Sequence, residues 1–270
     1  MVDLLTVVGS VILPNPVLTA SGTAGHGIEM APFVDLAGLG AHVVKSLAAF
    51  EWAGNPPPRV QPAGHGMLNA VGLQGPGLEA WCRDDLPALA TAGVRVVVSI
   101  WGRSVDDYRR AAQLLAGASS AVVAVEVNLS CPNLEGRRGI FAHDAEQSAA
   151  VIAATACCGL PRWAKLSANT DRVVEVAAAV HEAGAEAVTL INTLLGMVID
   201  PVTRRPVLGA GGGGYSGAPI HPAAVRTVFD VRAALPSLPI VGVGGVSSGW
   251  GAVELLLAGA SAVQVGTANF

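Results

Sequence analysis

Eight short runs of apolar and β-branched residues recur along this chain, and their rhythm constrains the fold more than any other feature. They are "NPVLTASG" (15–22), "AHVVKS" (41–46), "RVVVSIWG" (95–102), "AVEVNLSC" (124–131), "RWAKLSAN" (162–169), "AVTLIN" (187–192), "PIVGVGG" (239–245) and "AVQVGTA" (262–268). Helical segments with apolar positions at helical spacing lie between most of them. In "SVDDYRRAAQLLAGA" (104–118), Ser104 is placed to cap the N-terminus and two aspartates follow in the first turn. In "TDRVVEVAAAVHEAGA" (170–185), Gly184 stands near the C-terminal end. Near-continuous apolar strands alternating with helices imply a parallel sheet buried on both faces. Eight of them imply a (β/α)8 TIM barrel. The competing doubly wound sheet expects a GxGxxG turn after the first strand, and none is present.

Around that frame, the N-terminal "MVDLLTVVGSVILPNP" alternates like a short strand pair closing the bottom of the barrel. Two connections are elaborated top loops. One spans 47–94 and contains "GNPPPRV" and "GMLNAVGLQGPG"; the other follows the sixth strand and contains "RRPVLGAGGGGYSG". Residues 1–270 are expected to form a single domain. Only Asn269 and Phe270 follow the eighth run, so the final barrel helix is expected to be missing. Val263 and Val265 would then be exposed on the outer face of the last strand.

Composition narrows the function. Hydrophobic residues make up 51% and charged residues 13%, and the net charge of −4 leaves no electrostatic footprint for nucleic acid. No apolar stretch is long enough to span a bilayer, and no basic n-region marks a signal peptide. Cys82, Cys131, Cys157 and Cys158 show no CxxC spacing, which fits a reducing cytoplasm. Of sixteen basic residues only Lys45 and Lys165 are lysine. In an arginine-rich background, those two positions are candidates for a compact ammonium rather than a guanidinium fork. Six dispersed histidines form no metal-ligand motif; His26 and His65 lie in top loops, where solvated histidines are the commoner case.

In a barrel of this kind the chemistry sits at the C-terminal ends of the strands. Those ends carry Ser21-Gly22, Lys45-Ser46, Ser99, Asn128 with Cys131, Lys165, Asn192-Thr193, Gly244-Gly245 and Gly266-Thr267. Both lysines and the one cysteine with polar neighbours fall on that rim. The glycine pairs after the seventh and eighth strands stand where such barrels bind phosphate through bare backbone N–H groups. A phosphate-anchored cofactor, a nearby ammonium, a thiol base and neutral amides together suggest removal of a proton and a hydride, with the cofactor carrying the redox step.

The segments "ASGTAG", "VVKS", "GNPPPRV", "GMLNAVGLQGPG", "NLSCPN", "AKLSAN", "INTLLGMVID", "GGYSGAPIHP", "VGVGGV" and "ASAVQVGTANF" resemble, in order from Asn15 to Phe270, the dihydroorotate dehydrogenases. "INTLLGMVID" and "GMLNAVGLQGPG" are nearest in wording to the class 1B catalytic subunits. The resemblance implies a barrel that binds FMN and oxidises dihydroorotate to orotate in pyrimidine synthesis. It makes Cys131 the general base, a residue that marks class 1, where membrane-bound class 2 relatives use serine. It places Lys165 at the flavin N1/O2 edge and Lys45 between flavin and substrate. Ser21, Ser46, Ser99, Ile191, Gly217, Gly244, Gly245, Gly266 and Thr267 would line the flavin and its phosphate. Asn69, Ala70, Val71, Gly72, Leu73, Asn128, Asn192 and Thr193 would hold dihydroorotate, with Asn128 also touching FMN.

Two positions depart from the family's pattern. Ser99 stands where relatives often carry an asparagine, and Trp101 stands where small residues are usual. The resemblance also implies a homodimer, or a heterotetramer with a second subunit that carries FAD and an iron–sulfur cluster and passes electrons to NAD. This chain has no cysteine cluster for such a centre. Two rival readings are a flavin barrel acting on another ring, such as a dihydropyrimidine-type dehydrogenase, and a truncated, inactive assembly subunit. Turnover of thymine or uracil alone would favour the first. A colourless preparation without FMN would favour the second.

Overall fold

All eight apolar runs form strands in the computed structural model, which describes residues 3–130, 132–133 and 139–270. The strands are β1 (Val17–Thr19), β2 (His42–Val43), β3 (Val96–Ile100), β4 (Val122–Asn128), β5 (Arg162–Lys165), β6 (Ala187–Leu190), β7 (Ile240–Val243) and β8 (Ala262–Val265). Each pairs in parallel with its neighbours in the order β1-β8-β7-β6-β5-β4-β3-β2. A parallel bridge between Leu18 and Ala41 joins β1 to the start of β2 and closes the ring. The architecture is a (β/α)8 TIM barrel. Each strand ends before its run does, because the polar C-terminal ends of the runs leave the ladder to form the rim.

Helices α1 (Leu78–Asp84), α2 (Leu86–Thr91), α3 (Val105–Leu114), α4 (Ala145–Ala154), α5 (Val173–Glu182), α6 (His221–Ala234) and α7 (Gly249–Leu257) cover the outside. Ser104 caps α3 as its residue type suggests, its hydroxyl accepting from the Asp107 N–H at 3.1 Å. Gly184, just beyond α5, has φ of +98°, a conformation that glycine adopts without steric penalty. Among the described residues, no helix is long and apolar enough to cross a membrane.

Alternation along each strand divides the barrel into faces and storeys. On β4, Val125 and Val127 pack outward with Tyr108, Val151 and Val176 from the helices. Ala124 points inward to a lower cluster shared with Val97, Trp163, Ala187, Val241 and Ala262. Two residues further along five of the strands, the same inward face becomes polar: Ser99, Glu126, Lys165, Thr189 and Gln264, all buried. The antiparallel hairpin Thr6–Val8 and Val11–Leu13 plugs the bottom, burying Val8, Val11 and Leu13 in the lower cluster, as the N-terminal alternation predicts.

One expectation is corrected. Val263 is fully buried in the outer core, because α7 packs against β8 on that side. The exposed apolar side chains lie further out, at Trp250 and Leu257 on α7 and at Phe270.

The long loops are themselves ordered into a sheet. Strands Leu194–Gly196, Gly213–Gly217, Gly66–Asn69 and Val60–Ala63 pair in that order, all antiparallel. The register sets Asn69 opposite Gly214 and Leu194 opposite Tyr215, so both elaborated loops meet over one side of the barrel mouth.

Candidate active site

Three groups of residues assemble at the rim and just beneath it. In the first, hydroxyls and amides from five strand ends form a continuous chain. Ser21 Oγ and Ser46 Oγ share a hydrogen bond of 3.2 Å, and Ser46 Oγ and Ser99 Oγ share one of 2.9 Å. Asn128 Nδ2 donates to Ser46 Oγ at 3.2 Å, and Asn192 Nδ2 donates to Asn128 Oδ1 at 3.3 Å. Asn192 Oδ1 accepts from the Thr193 N–H at 2.8 Å, which turns the chain beyond β6. Tyr108 on α3 reaches through from outside, its hydroxyl donating to the Asn128 carbonyl at 2.6 Å. Ser99 is fully buried and reaches the rim only through Ser46.

A second group occupies the barrel interior just beneath. Lys165 Nζ donates to Glu126 Oε1 at 3.2 Å and to Gln264 Oε1 at 3.3 Å. Glu126 Oε2 accepts from Gln264 Nε2 at 2.6 Å and from Thr189 Oγ1 at 3.1 Å. Sequence reasoning singled out Lys165 and passed over Glu126, Thr189 and Gln264. The signal was present: a carboxylate and an amide at inward positions of otherwise apolar strands ask for partners.

The third group is a corner without side chains after β7 and β8. Gly245 has φ of +68°, and a Cβ there would stand 2.7 Å from the His221 Cβ and 2.9 Å from the Gly217 carbonyl oxygen. Gly244, at φ +135°, would press a Cβ to 2.7 Å from that of Ala224. Only glycine fits, and the backbone lies bare beside Gly217, Gly266 and Thr267, whose hydroxyl donates to Ser216 Oγ at 2.8 Å. His221 Nδ1 contacts the Gly244 carbonyl at 2.8 Å and steadies this corner.

The loop from Asn69 to Leu73 frames the opposite side, with Gly72 and Leu73 both at positive φ. Asn55 holds it through its N–H to the Val71 carbonyl and its Nδ2 to the Ala70 carbonyl, both at 3.1 Å. Arg59 ties the same strap together, donating to the carbonyls of Asn55 (2.6 Å) and Ala53 (3.0 Å) and to Gln74 Oε1. Trp101 packs behind the loop in a cluster with Phe50, Trp52 and Leu73, its ring edge-on to both aromatics. Lys45 lies against Gly22, where a Cβ would come 3.2 Å from Lys45 Cδ.

Cys131 lies outside the described residues; β4 ends at Asn128, and Leu129 and Ser130 follow it in a turn. The backbone of Pro132–Asn133 pairs with Gly139–Ile140. Of the other cysteines, burial pushes the thiols of Cys82 and Cys158 up, which suits inert side chains. His65 is exposed at the tip of the accessory sheet, and burial holds the His26 imidazole below its usual range, against the pull of Asp85.

A closed barrel with a buried ammonium, a rim of amides and a glycine-lined corner after its last two strands carries its polar groups at the face where barrel enzymes hold their active sites. Sequence comparison narrows the class. The family described as Dihydroorotate dehydrogenase matches residues 4–270. A Desulforudis audaxviator protein named "Dihydroorotate dehydrogenase B (NAD(+)), catalytic subunit" is 49% identical over 263 residues, covering 97% of this chain and 85% of its own. Proteins of the same name from Geotalea uraniireducens and Alkaliphilus oremlandii are 43% and 44% identical, covering 99% and 97% of this chain and 88% and 86% of their own. This chain belongs to the dihydroorotate dehydrogenase family.

Proposed function

We propose that this chain oxidises dihydroorotate to orotate, a step of pyrimidine biosynthesis, with FMN bound at the barrel mouth. One observation carries the reading in a chain of this family: the glycine-lined corner and the Asn128–Asn192 amide pair share one rim. The donor set fits the cofactor. Backbone N–H groups around Gly217, Gly244, Gly245, Gly266 and Thr267 suit a phosphate, and the packing at Gly244 and Gly245 leaves no room for a Cβ. Ser21, Ser46, Asn128, Ile191, Lys45 and Lys165 would line the ring, with Ser99 acting through Ser46. When bound, the flavin supplies the acceptor for the hydride that leaves C6 of the substrate.

The remaining work falls to the chain's own residues. Asn69 to Leu73, Asn128, Asn192 and Thr193 hold the substrate ring, and the strap tied by Arg59 presents that loop from above. Cys131 takes the C5 proton as the C5=C6 bond forms. A free thiol titrates near ~8.5, so the rate of the reductive half-reaction should climb toward that pH. Lys165 brings positive charge to the pyrimidine edge of the flavin.

Replacing Cys131 with alanine tests the reading. The variant should retain FMN and orotate binding while flavin reduction by dihydroorotate slows by ~10²-fold or more. Reduction at the native rate at neutral pH would remove Cys131 from the mechanism. The relatives are named as catalytic subunits working with NAD(+). We extend this to a cytoplasmic homodimer joined by a subunit carrying FAD and an iron–sulfur cluster. NAD, fumarate and quinone reduction, assayed with and without that subunit, distinguishes the acceptors.

A further inference from the structure

We infer that Glu126 is a positioning residue for this reaction: it holds Lys165 beneath the flavin and offsets its charge, and so sets how readily the flavin is reduced. The inference rests on the function proposed above and deepens it. Glu126 is 0% exposed and spends both carboxylate oxygens inside the barrel, on Lys165 Nζ, Gln264 Nε2 and Thr189 Oγ1. Gln264 closes the ring by accepting from Lys165 with its own Oε1. The result is a buried cluster in which each partner fixes the others.

Packing alone does not call for such a cluster. One storey lower, the same strands fill the same barrel with Val97, Ala124, Trp163, Ala187, Val241 and Ala262. An apolar layer is therefore available to this fold, and a buried ion pair is often no more stable than its apolar replacement. The cluster also has a direction. Glu126, Thr189 and Gln264 are fully enclosed, while Lys165 keeps 5% exposure, so Lys165 is the one member of the cluster that is not sealed in. Two of its three hydrogens have acceptors among the described residues, both in the cluster. The third is left for an acceptor above. In this low-dielectric interior the carboxylate 3.2 Å away pins Nζ and cancels much of its field at the ring. Glu126 touches neither substrate nor flavin in this arrangement; it acts through Lys165.

The test uses the flavin-loaded protein and two readouts besides turnover. These are the flavin midpoint potential and the dissociation constant for sulfite, whose addition to a flavin leaves negative charge at the pyrimidine edge. Glu126→Gln keeps the shape and an acceptor for Nζ but removes the counter-charge. The potential should rise and sulfite should bind ~10-fold tighter or better. Lys165→Met should lower the potential and weaken sulfite. Lys165→Met/Glu126→Gln should match Lys165→Met, because Glu126 acts through the ammonium that both variants lack. If Glu126→Gln does not fold or hold flavin, Glu126→Asp draws the charge back by one methylene and should shift both readouts the same way by a smaller factor. Glu126 variants within twofold of the native protein, beside a shifted Lys165→Met, would overturn the inference and leave the proposed function standing. An unshifted Lys165→Met would overturn the proposed role of Lys165 itself.

Discussion

Arg59 shows how much one side chain can organise on this rim. Its guanidinium spans three acceptors on two segments, the Ala53 and Asn55 carbonyls and the Gln74 side chain, and so holds the 53–59 strap against the Asn69–Leu73 loop. A planar fork does this and a point charge does not. Arg59→Lys is therefore expected to raise KM for dihydroorotate by ~10-fold, since a charged hydrogen bond contributes about 1.5–3 kcal/mol, with a smaller change in kcat. Steady-state kinetics at saturating acceptor checks this, and an unchanged KM would mean the loop holds its shape without the arginine. Arg59 was visible in the sequence only as part of "GNPPPRV". Its partners at Gln74 and across the strap become neighbours only when the loop folds back, so no local pattern announces it.

At the scale of elements, the seam between β1 and β2 is the thinnest part of the barrel, with one bridge at Leu18–Ala41 and a β2 of two residues. Thr19 reinforces it: its hydroxyl accepts from the Val43 N–H at 2.8 Å and donates to the Val43 carbonyl at 3.3 Å. His42 Nδ1 lies 3.0 Å from Thr19 Oγ1, while its Nε2 is buried with no partner among the described groups. The neutral tautomer with its proton on Nδ1 satisfies every donor, because only an acceptor lone pair is then left over. Desolvation accordingly lowers the His42 pKa from 6.5 to about 4, against a small opposing pull from Glu29. The folded state thus binds fewer protons than the unfolded chain between those values, and stability falls as pH drops through that window. By pH ~4 the loss from this residue should approach about 3 kcal/mol. Urea unfolding at pH 7 and pH 4.5 measures it. His42→Leu should flatten the acid dependence, and an equally steep loss in that variant would place the titration elsewhere. The run "AHVVKS" identified this strand, but a histidine in an apolar run reads the same whether it faces a helix, a seam or a cofactor.

The whole molecule is a barrel of two storeys, an apolar floor under a polar one, and the N-terminal hairpin completes the floor. Leu13 is fully buried there among Leu18, Val43 and Trp163. Leu13→Ala should destabilise the protein by about 2–5 kcal/mol. Because the hairpin closes the end opposite the rim, flavin affinity measured well below the transition should be little changed. Calorimetry and fluorescence titration check the two halves. A variant that loses flavin affinity at a temperature where it is fully folded would show that floor and rim are coupled.

The sequence by itself determined the barrel, its eight strands and the residues at their C-terminal ends. Periodicity is local: a run such as "RVVVSIWG" carries its own evidence of burial, and the order of strands and helices then leaves few topologies open. It also marked Lys165 as unusual, being one of two lysines among sixteen basic residues. Tertiary structure alone decided what surrounds that lysine. Glu126, Thr189 and Gln264 come from three strands separated by up to 138 residues, and only barrel closure places them within hydrogen-bonding distance. It likewise decided that Val263 is covered and that Ser99 reaches the rim through Ser46 rather than directly. Inward and outward positions follow from a period of two along one strand, whereas the partners across a barrel depend on how all eight strands tilt and close.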